Sequence, residues 1–267
     1  MARISGGLEN LVKQSEKNLI ISDLHIPFED PAAVACMLDY AKAYKPNRVV
    51  IDGDLVDFYS LSTFDKCPAR KETVKDEVYK ARQFLHELRK VVGKGADIHY
   101  LHGNHENRLQ RYLWRNPELY GLDSLELKNM LELRKFGIKE VKVDGDYWSE
   151  LRGEVRIGDT VVMHGDGRLN RAKYSANPGY AALNTLKQRV GENVIIGHTH
   201  RLAQIYNMVG NTNNVGMENG CLCQVSKQNW QQGFTTFESK GKKSFNYRTH
   251  PINKGVLLED GRVYKKK

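Results

Sequence analysis

Five short polar clusters, each directly after an apolar run, constrain the fold of this chain more than any other feature. In chain order they are Asp23-Leu24-His25, Gly53-Asp54-Leu55-Val56-Asp57, Gly103-Asn104-His105-Glu106, His164-Gly165-Asp166 and Gly197-His198-Thr199-His200. Short apolar runs predict buried strands, and polar residues at strand ends predict a ligand site along one edge of a sheet. The chain is therefore expected to bring the five clusters together.

Strands and helices alternate in the first hundred residues. Buried strands are predicted at 18–22, 48–52 and 99–101. A helix begins at Asp30-Pro31, and a long amphipathic helix covers 72–92 before Gly93 stops it. This alternation predicts an α/β fold with its ligands at the carboxyl ends of the strands.

The domain organisation is expected to be simple, because the 267 residues show no internal repeat and no clear linker. Residues 1–17 are polar and predict a flexible N-terminal arm, which leaves 18–267 as a single domain. Helical patterns at 108–114 and 123–136 predict an insertion over the site at about 107–140. Further strands are predicted at 154–157, 160–163, 193–196, 203–208, 234–237 and in a hairpin of 256–258 with 262–264, with a helix near 179–190.

Charge and cysteine content indicate the surroundings of the protein. The formal net charge of +9 favours polyanionic partners, nucleic acid above all. The four cysteines lack a disulfide-framework spacing, and no signal sequence or run of about 18 apolar residues is present. We therefore expect a soluble cytoplasmic protein with reduced thiols and no membrane association. The lysines at 240–243 and 265–267 lie far from the motifs and are expected to be solubilising tails.

The residue types in the clusters are those that hold a pair of divalent cations. Two such ions about 3.5–4 Å apart need a bridging carboxylate together with carboxylate, amide and imidazole ligands. Asp23 and His25 can both turn toward one metal as the chain leaves a strand, and Asp54 is the natural bridge. The remaining candidates are Asn104, His164 and His198 for the second metal and His200 for the first. Each alone is an ordinary turn residue; the ordered combination carries the prediction.

The D-x-H, G-D-x-x-D, G-N-H-E, H and G-H-T-H series resembles the calcineurin-like metallophosphoesterase superfamily, and the texture is similar to its phage and bacterial members. The resemblance covers Ile20 to Arg201. It implies a four-layer α/β/β/α sandwich of two mixed β-sheets flanked by helices. It also implies two divalent metal ions, manganese first, with iron, zinc or nickel as alternatives. One ion is held by Asp23, His25, Asp54 and His200, and the other by Asp54, Asn104, His164 and His198.

The resemblance implies a dinuclear phosphoesterase as well. A hydroxide shared by the two metals attacks phosphorus in line, since the cations lower the pKa of bound water. His105 then faces the leaving group as general acid or charge stabiliser, and Asp57 orients it. Asp52 and Asp166 are expected to orient metal ligands.

Two features narrow the substrate. Phosphoprotein phosphatases of the superfamily carry an Arg-Gly clamp directly after the second aspartate of G-D-x-x-D, whereas Asp57 is followed by Phe58-Tyr59. The closing Gly-His-Thr-His is more typical of phosphodiesterases and nucleases. Within the insertion, Arg108, Arg111 and Arg115 share one helix face among aromatic residues, a pattern that predicts a single-stranded nucleic-acid path or, alternatively, a solvated helix face. A second basic run at 168–174 is expected on the same rim.

The leading interpretation is a phosphodiesterase or nuclease that acts on DNA, RNA or nucleotides, with Arg108 and Arg111 as substrate-binding residues. The main alternative is a phosphomonoesterase, either a phosphoprotein or a nucleotide phosphatase. A cyclic-nucleotide phosphodiesterase would use the same chemistry in a different pocket. A non-catalytic scaffold would have lost metal ligands or the catalytic histidine, and none is lost here.

Overall fold

The computed structural model describes residues 15–141, 153–166, 177–209 and 212–266. Its helices are α1 (Pro31–Tyr44), α2 (Val74–Val92), α3 (Glu106–Arg115), α4 (Leu127–Met130) and α5 (Tyr180–Gln188). Its strands are β1 (Glu16–Ile21), β2 (Arg48–Asp52), β3 (Asp97–Leu101), β4 (Ile138–Val141), β5 (Glu154–Ile157), β6 (Thr160–Met163), β7 (Asn193–Ile196), β8 (Leu202–Val209), β9 (Thr212–Asn219), β10 (Gly233–Lys240), β11 (Lys243–Pro251), β12 (Val256–Glu259) and β13 (Arg262–Lys265).

The strands form two mixed sheets and one hairpin. The first sheet has the order β11-β10-β1-β2-β3-β4, in which β1 to β4 are parallel and β10 is antiparallel to both of its neighbours. The second has the order β5-β6-β7-β9-β8, with parallel pairing from β6 through β7 to β9. The β12–β13 hairpin packs on α1. Parallel strands end at a common edge, which is why the polar clusters that follow them can meet.

Alternation along the strands divides the core into layers. Successive side chains of a strand point to opposite faces. In β1, Leu19 and Ile21 pack in the cluster that contains α1 and α2, whereas Ile20 lies between the two sheets. In β6, Val162 joins that inter-sheet core, and its neighbours pack toward α5. The predicted four-layer α/β/β/α fold is thereby confirmed, and both faces of these strands are buried, as continuous apolar runs require.

Local signals explain where the two long helices begin and end. The Asp30 side chain accepts hydrogen bonds from the first backbone amides of α1, and Pro31 occupies its first position. Thr73 and Asp76 form a capping box at the start of α2. Gly93, with φ of 80°, closes α2, because a residue with a Cβ rarely adopts that backbone conformation.

Three predicted boundaries need correction. Glu16 and Lys17 belong to β1 and not to the predicted arm, because they pair with Ser239 and Glu238 of β10. Residues 1–14 lie outside the described residues. The insertion at about 107–140 ends as a strand, since β4 pairs in parallel with β3. In place of the single helix predicted at 123–136, the chain forms a short 3-10 turn, then α4, then further turns. Gly137, with φ of 61°, ends this segment.

The C-terminal region also differs from expectation. Strands β9 and β11 were not predicted, and the lysine-rich stretch at 240–243 is the hairpin turn between β10 and β11, where Lys240 pairs with Lys243. His250 lies buried in β11 and contacts Thr236 and Glu259. Among the described residues, no helix is both long and apolar enough to cross a membrane.

Candidate metal centre

All five polar clusters lie at strand ends that face one another. The chain leaves β1, β2, β3, β6 and β7 and, within three residues of each strand end, reaches the first predicted ligand of each cluster: Asp23, Asp54, Asn104, His164 and His198. Asp23, Asp54 and His164 are almost completely buried. The predicted residues therefore form one compact group.

The first group of possible ligands consists of Asp23, His25, Asp54 and His200, whose ligand atoms all lie within 4.8 Å of one another. His200 Nε2 is 3.1 Å from Asp23 Oδ1 and 3.0 Å from His25 Nε2. His25 Nε2 is also 3.7 Å from Asp54 Oδ2. Carboxylate oxygens and imidazole nitrogens thus converge on one point, as a divalent cation requires.

The second group consists of Asp54, His164 and His198. His164 Nε2 lies 3.3 Å from Asp54 Oδ2, and the His164 and His198 rings are 5.3 Å apart. His164 Nδ1 donates a hydrogen bond to the Asp52 carbonyl at 2.7 Å, which leaves Nε2 as the atom that faces the group. Asp54 belongs to both groups, the position that a bridging ligand would occupy.

Backbone amides hold one oxygen of each central carboxylate and leave the other facing the imidazoles. His198 N donates to Asp23 Oδ2 at 3.0 Å, and His105 N donates to Asp54 Oδ1 at 2.9 Å. Asp23 Oδ1, Asn104 Oδ1 and His164 Nε2 are buried and make no hydrogen bond. Buried polar atoms are ordinarily satisfied, so these three fit the coordination of a metal ion.

Burial and opposite charges act against each other on the titration of this centre. Burial would raise the pKa of Asp23, but His200 and His25 outweigh it and hold that pKa far below its ordinary value. Burial would lower the pKa of His164, but Asp54 outweighs it and raises that pKa well above the ordinary value. In Asp52, burial prevails and raises the pKa to about 8. Positive charge is therefore favoured between Asp23 and Asp54.

The backbone of the clusters is strained. Five predicted ligands adopt the left-handed region with φ between 50° and 63°: Asp23, His25, Asp54, His198 and His200. Residues with side chains rarely adopt this conformation, at a cost of about 1–3 kcal/mol each, and such residues concentrate at functional sites. The sharp turn lets residues two positions apart, such as Asp23 and His25, point toward the same place.

His105 lies beside the first group and contacts the residues expected around it. Its Nδ1 is 3.0 Å from the Asp57 carbonyl oxygen and 3.4 Å from Asp57 Oδ2. Arg108 donates to Asp57 through Nη1 at 3.0 Å, and its Nη2 is 3.1 Å from His105 Nε2. His25, Asp57 and His105 also form a third group with metal-ligand spacing. The second predicted substrate residue, Arg111, lies exposed on α3. The basic run predicted at 168–174 lies outside the described residues.

The sequence analysis missed Glu106, the residue that organises the loops of the site. Its buried carboxylate accepts hydrogen bonds from four backbone amides and one phenol: Asp54 N, Leu55 N, Val56 N, Gly103 N and Tyr100 Oη, at 2.7–3.1 Å. It therefore ties the loop after β2 to the turn after β3. Its position directly after His105 in the Gly-Asn-His-Glu turn is the one sequence feature that could have indicated this role.

Cys223 and Trp230 were also missed. Cys223 Sγ is 3.8 Å from His200 Nδ1, and the Trp230 ring lies 4.0 Å from the His200 ring between centroids. Together they enclose the side of His200 that faces away from Asp23. Neither residue carries a motif, and both reach His200 through the loop between β9 and β10, so only tertiary structure reveals them.

Several known proteins are similar to this chain. The family model of calcineurin-like phosphoesterases matches residues 17–221. The Gene 54 protein of Mycobacterium phage L5 is 30% identical over 94% of this chain and 99% of its own length, and that of phage D29 is 28% identical over the same shares. A solved structure from Streptococcus pneumoniae, described as a predicted phosphoesterase, is 12% identical with a TM-score of 0.38, covering 94% of this chain and 97% of its own.

Proposed function

Because the chain belongs to the calcineurin-like phosphoesterase family and is thus a metal-dependent phosphoester hydrolase, we propose that its substrates are phosphodiesters of nucleic acid or nucleotides. The observation that carries this proposal is the residue after Asp57. Phe58 is completely buried, and the Tyr59 amide is hydrogen-bonded to Glu77. This position therefore offers no cation to clamp the extra charge of a phosphomonoester.

The proposed cofactor is a pair of divalent metal ions, which the donor set fits. Asp23, His25, Asp54 and His200 would hold one ion, and Asp54, Asn104, His164 and His198 the other. Mixed oxygen and nitrogen donors suit manganese, iron, zinc or nickel, and manganese is the first choice. Such ions supply Lewis acidity: they lower the pKa of water and offset phosphoryl charge. The unpaired cysteines, Cys36, Cys67, Cys221 and Cys223, agree with a cytoplasmic setting.

His105 is proposed as the residue that gives a proton to the leaving-group oxygen or stabilises its charge. The Asp57 carbonyl accepts from Nδ1, so the Nε2 atom faces the centre, 3.7 Å from Asp54 Oδ2. Arg108 Nη2 lies 3.1 Å from the same Nε2 atom, and Arg108 is proposed to contact a phosphate oxygen. The exposed Arg111 continues this basic face along α3, where a nucleic-acid strand would run.

The experiment is a comparison of the manganese-loaded protein on bis-p-nitrophenyl phosphate and on p-nitrophenyl phosphate. Preference for the diester supports the proposal, and preference for the monoester replaces it with the alternative. Asp54→Ala is the control and should lose both metal and turnover. His105→Ala should keep the metals, measured by elemental analysis, and lose about 10²–10⁴-fold in turnover; full activity would remove its role.

A phosphomonoesterase is the second candidate, and one observation favours it. The Arg108 guanidinium lies between His105 and Asp57 at the centre, where its planar fork could bind two oxygens of a terminal phosphate. Under that function Arg108→Ala would raise KM for the monoester far more than for the diester. Equal effects on the two esters would exclude such a clamp.

A further inference from the structure

The loop of residues 58–71, between β2 and α2, follows Asp57 directly and adjoins the candidate metal centre. Tyr59 organises this loop. Its hydroxyl accepts a hydrogen bond from Cys67 N at 2.7 Å and donates to the Asp65 carbonyl at 3.3 Å. The 3-10 turn at Tyr59–Leu61 packs against α3, which carries Arg108. The 58–71 loop and the basic face of α3 therefore form one continuous surface.

Two cations of this loop are held by aromatic rings and carbonyl oxygens. Lys66 Nζ donates to the Tyr59 carbonyl at 2.7 Å and to the Ser62 carbonyl, and lies 5.2 Å from the Tyr59 ring centroid. The Arg70 guanidinium lies 4.1 Å from the Phe28 ring and 4.5 Å from the Tyr59 ring. Within residues 15–141 and the other described ranges, no carboxylate pairs with either cation. The rings and carbonyl oxygens thus fix the positions of Lys66 and Arg70, and no carboxylate among the described residues neutralises their charge.

Lys66 also lies within electrostatic reach of Arg108. Lys66 is exposed, but slight desolvation and then the charge of Arg108 lower its pKa, while Asp57 acts in the opposite direction. Arg108 itself pairs with Asp57, at 3.0 Å between Nη1 and Oδ1. Asp57 offsets the charge of Arg108, so the charge of Lys66 is the one left to attract an anion, and a phosphate group is the anion that this site is proposed to receive.

Phe64 adds a feature that a simple anion would not need. Its ring is 75% exposed, two residues from Lys66, and its backbone amide is held by Ser62 Oγ at 3.1 Å. Exposed aromatic rings beside phosphate-binding cations are how single-stranded nucleic acids are bound, because every base has a face that can stack.

We propose that the 58–71 loop binds the strand next to the scissile phosphodiester of a single-stranded nucleic acid, with Lys66 contacting the neighbouring phosphate and Phe64 stacking a base. This inference rests on the proposed function and names its substrate class. Arg70 is a positioning residue, since its stacking on Phe28 and Tyr59 holds the loop against the segment between β1 and α1.

The test measures binding without cleavage. A fluorescein-labelled single strand of about 12 nucleotides is titrated with the full chain in EDTA, and anisotropy is followed between about 50 and 200 mM salt. Lys66→Ala should weaken binding about tenfold and reduce the salt slope by about one. Lys66→Arg should restore both. The matched control is Lys94→Ala, which removes the same charge from an exposed site between α2 and β3 at the opposite end of the parallel strands.

Phe64 provides a second measurement. Phe64→Leu keeps an apolar side chain but removes the ring, and should weaken binding about fivefold to tenfold without changing the salt slope. Phe64→Tyr should bind as wild type does. This separation of a salt-dependent contact from a salt-independent one is the signature of phosphate binding and stacking on one loop.

Several outcomes would overturn the inference. If Lys66→Ala and Lys94→Ala bind the oligonucleotide with equal affinity, Lys66 does not contact a phosphate. A wild-type protein that hydrolyses bis-p-nitrophenyl phosphate but does not bind the oligonucleotide at about 50 mM salt would refute the loop's role and leave the proposed function standing. Oligonucleotide binding without turnover of either small ester would support the loop and count against the proposed function instead.

Discussion

Glu106→Gln is expected to destabilise the protein strongly although the substitution changes a single atom. One carboxylate oxygen of Glu106 accepts hydrogen bonds from Asp54 N and Gly103 N at 3.0 and 2.8 Å, and the other accepts the remaining three. An amide has one acceptor oxygen, so its NH₂ group must face at least two backbone N–H donors. Those two donors are buried and lose their partner.

The magnitude follows from the number of amides affected. A buried donor left unsatisfied costs about 1–3 kcal/mol, and two of them, with some relaxation of the loops, give an expected loss of about 3 kcal/mol. For a chain of this length that corresponds to a decrease in Tm of about 6 °C. Turnover should decrease as well, because the same amides fix the loop that carries Asp54.

Urea unfolding at neutral pH, followed by circular dichroism, measures this loss. Glu118→Gln serves as the matched control, since Glu118 is exposed in the turn after α3 and should change stability by less than about 0.5 kcal/mol. A loss below about 1 kcal/mol in Glu106→Gln would show that water or backbone movement satisfies the two amides, and the argument from buried donors would be wrong.

Three further predictions concern pH, steric fit and metal removal. Burial and then the charge of Asp57 raise the pKa of Glu77 to about 8, so between its ordinary value of 4.5 and that pH the folded chain holds a proton that the unfolded chain has lost. The free energy of unfolding of the wild type therefore decreases across this window. Measured by urea unfolding, the stability of Glu77→Gln relative to wild type should increase by roughly 2–4 kcal/mol between about pH 5 and 8. A difference that stays constant with pH would contradict this. In Gly103→Ala the new Cβ would overlap Asp54 Oδ1 and His164 Nε2, so manganese binding by calorimetry should be lost, and wild-type affinity would exclude the close approach. EDTA should lower Tm relative to manganese at 100 Kd by the equivalent of about 2.7 kcal/mol; an unchanged Tm would argue against a metal bound to the folded state.

Prediction from sequence succeeded where a local pattern had a local cause. Strands β1, β2, β6 and β7 each contain an uninterrupted run of three apolar residues, because each of these strands is buried on both faces. The family and the fold class followed from the motifs that these strands carry, and both are confirmed. The roles of the individual ligands and of His105 remain predictions, although their side chains lie together.

The remaining features depend on tertiary contacts that no local pattern encodes. Strand β9 begins Thr-Asn-Asn-Val-Gly and β11 begins Lys-Ser-Phe-Asn, so neither shows an apolar run, and each is a strand because its partners form hydrogen bonds with it. The sequence predicts Glu106 only as a residue of a helix, and its role depends on the backbone amides of the loop after β2, which the structure brings next to it. The sequence predicts the 58–71 loop only as a polar connection, whereas in the structure Tyr59 holds Lys66 and Arg70 of this loop near Arg108 at the rim of the site.

The position of β10 has a consequence for how the protein is made. This strand, which begins at residue 233, lies between β11 and the first strand of the sheet. A ribosome therefore releases β1, β2 and β3 long before the partner of β1 on its other side exists. Until then β1 presents an open hydrogen-bonding edge to other chains. Non-local pairing of this kind slows folding, so chains that stop at residue 221, where the family match ends, should aggregate rather than accumulate as a smaller enzyme.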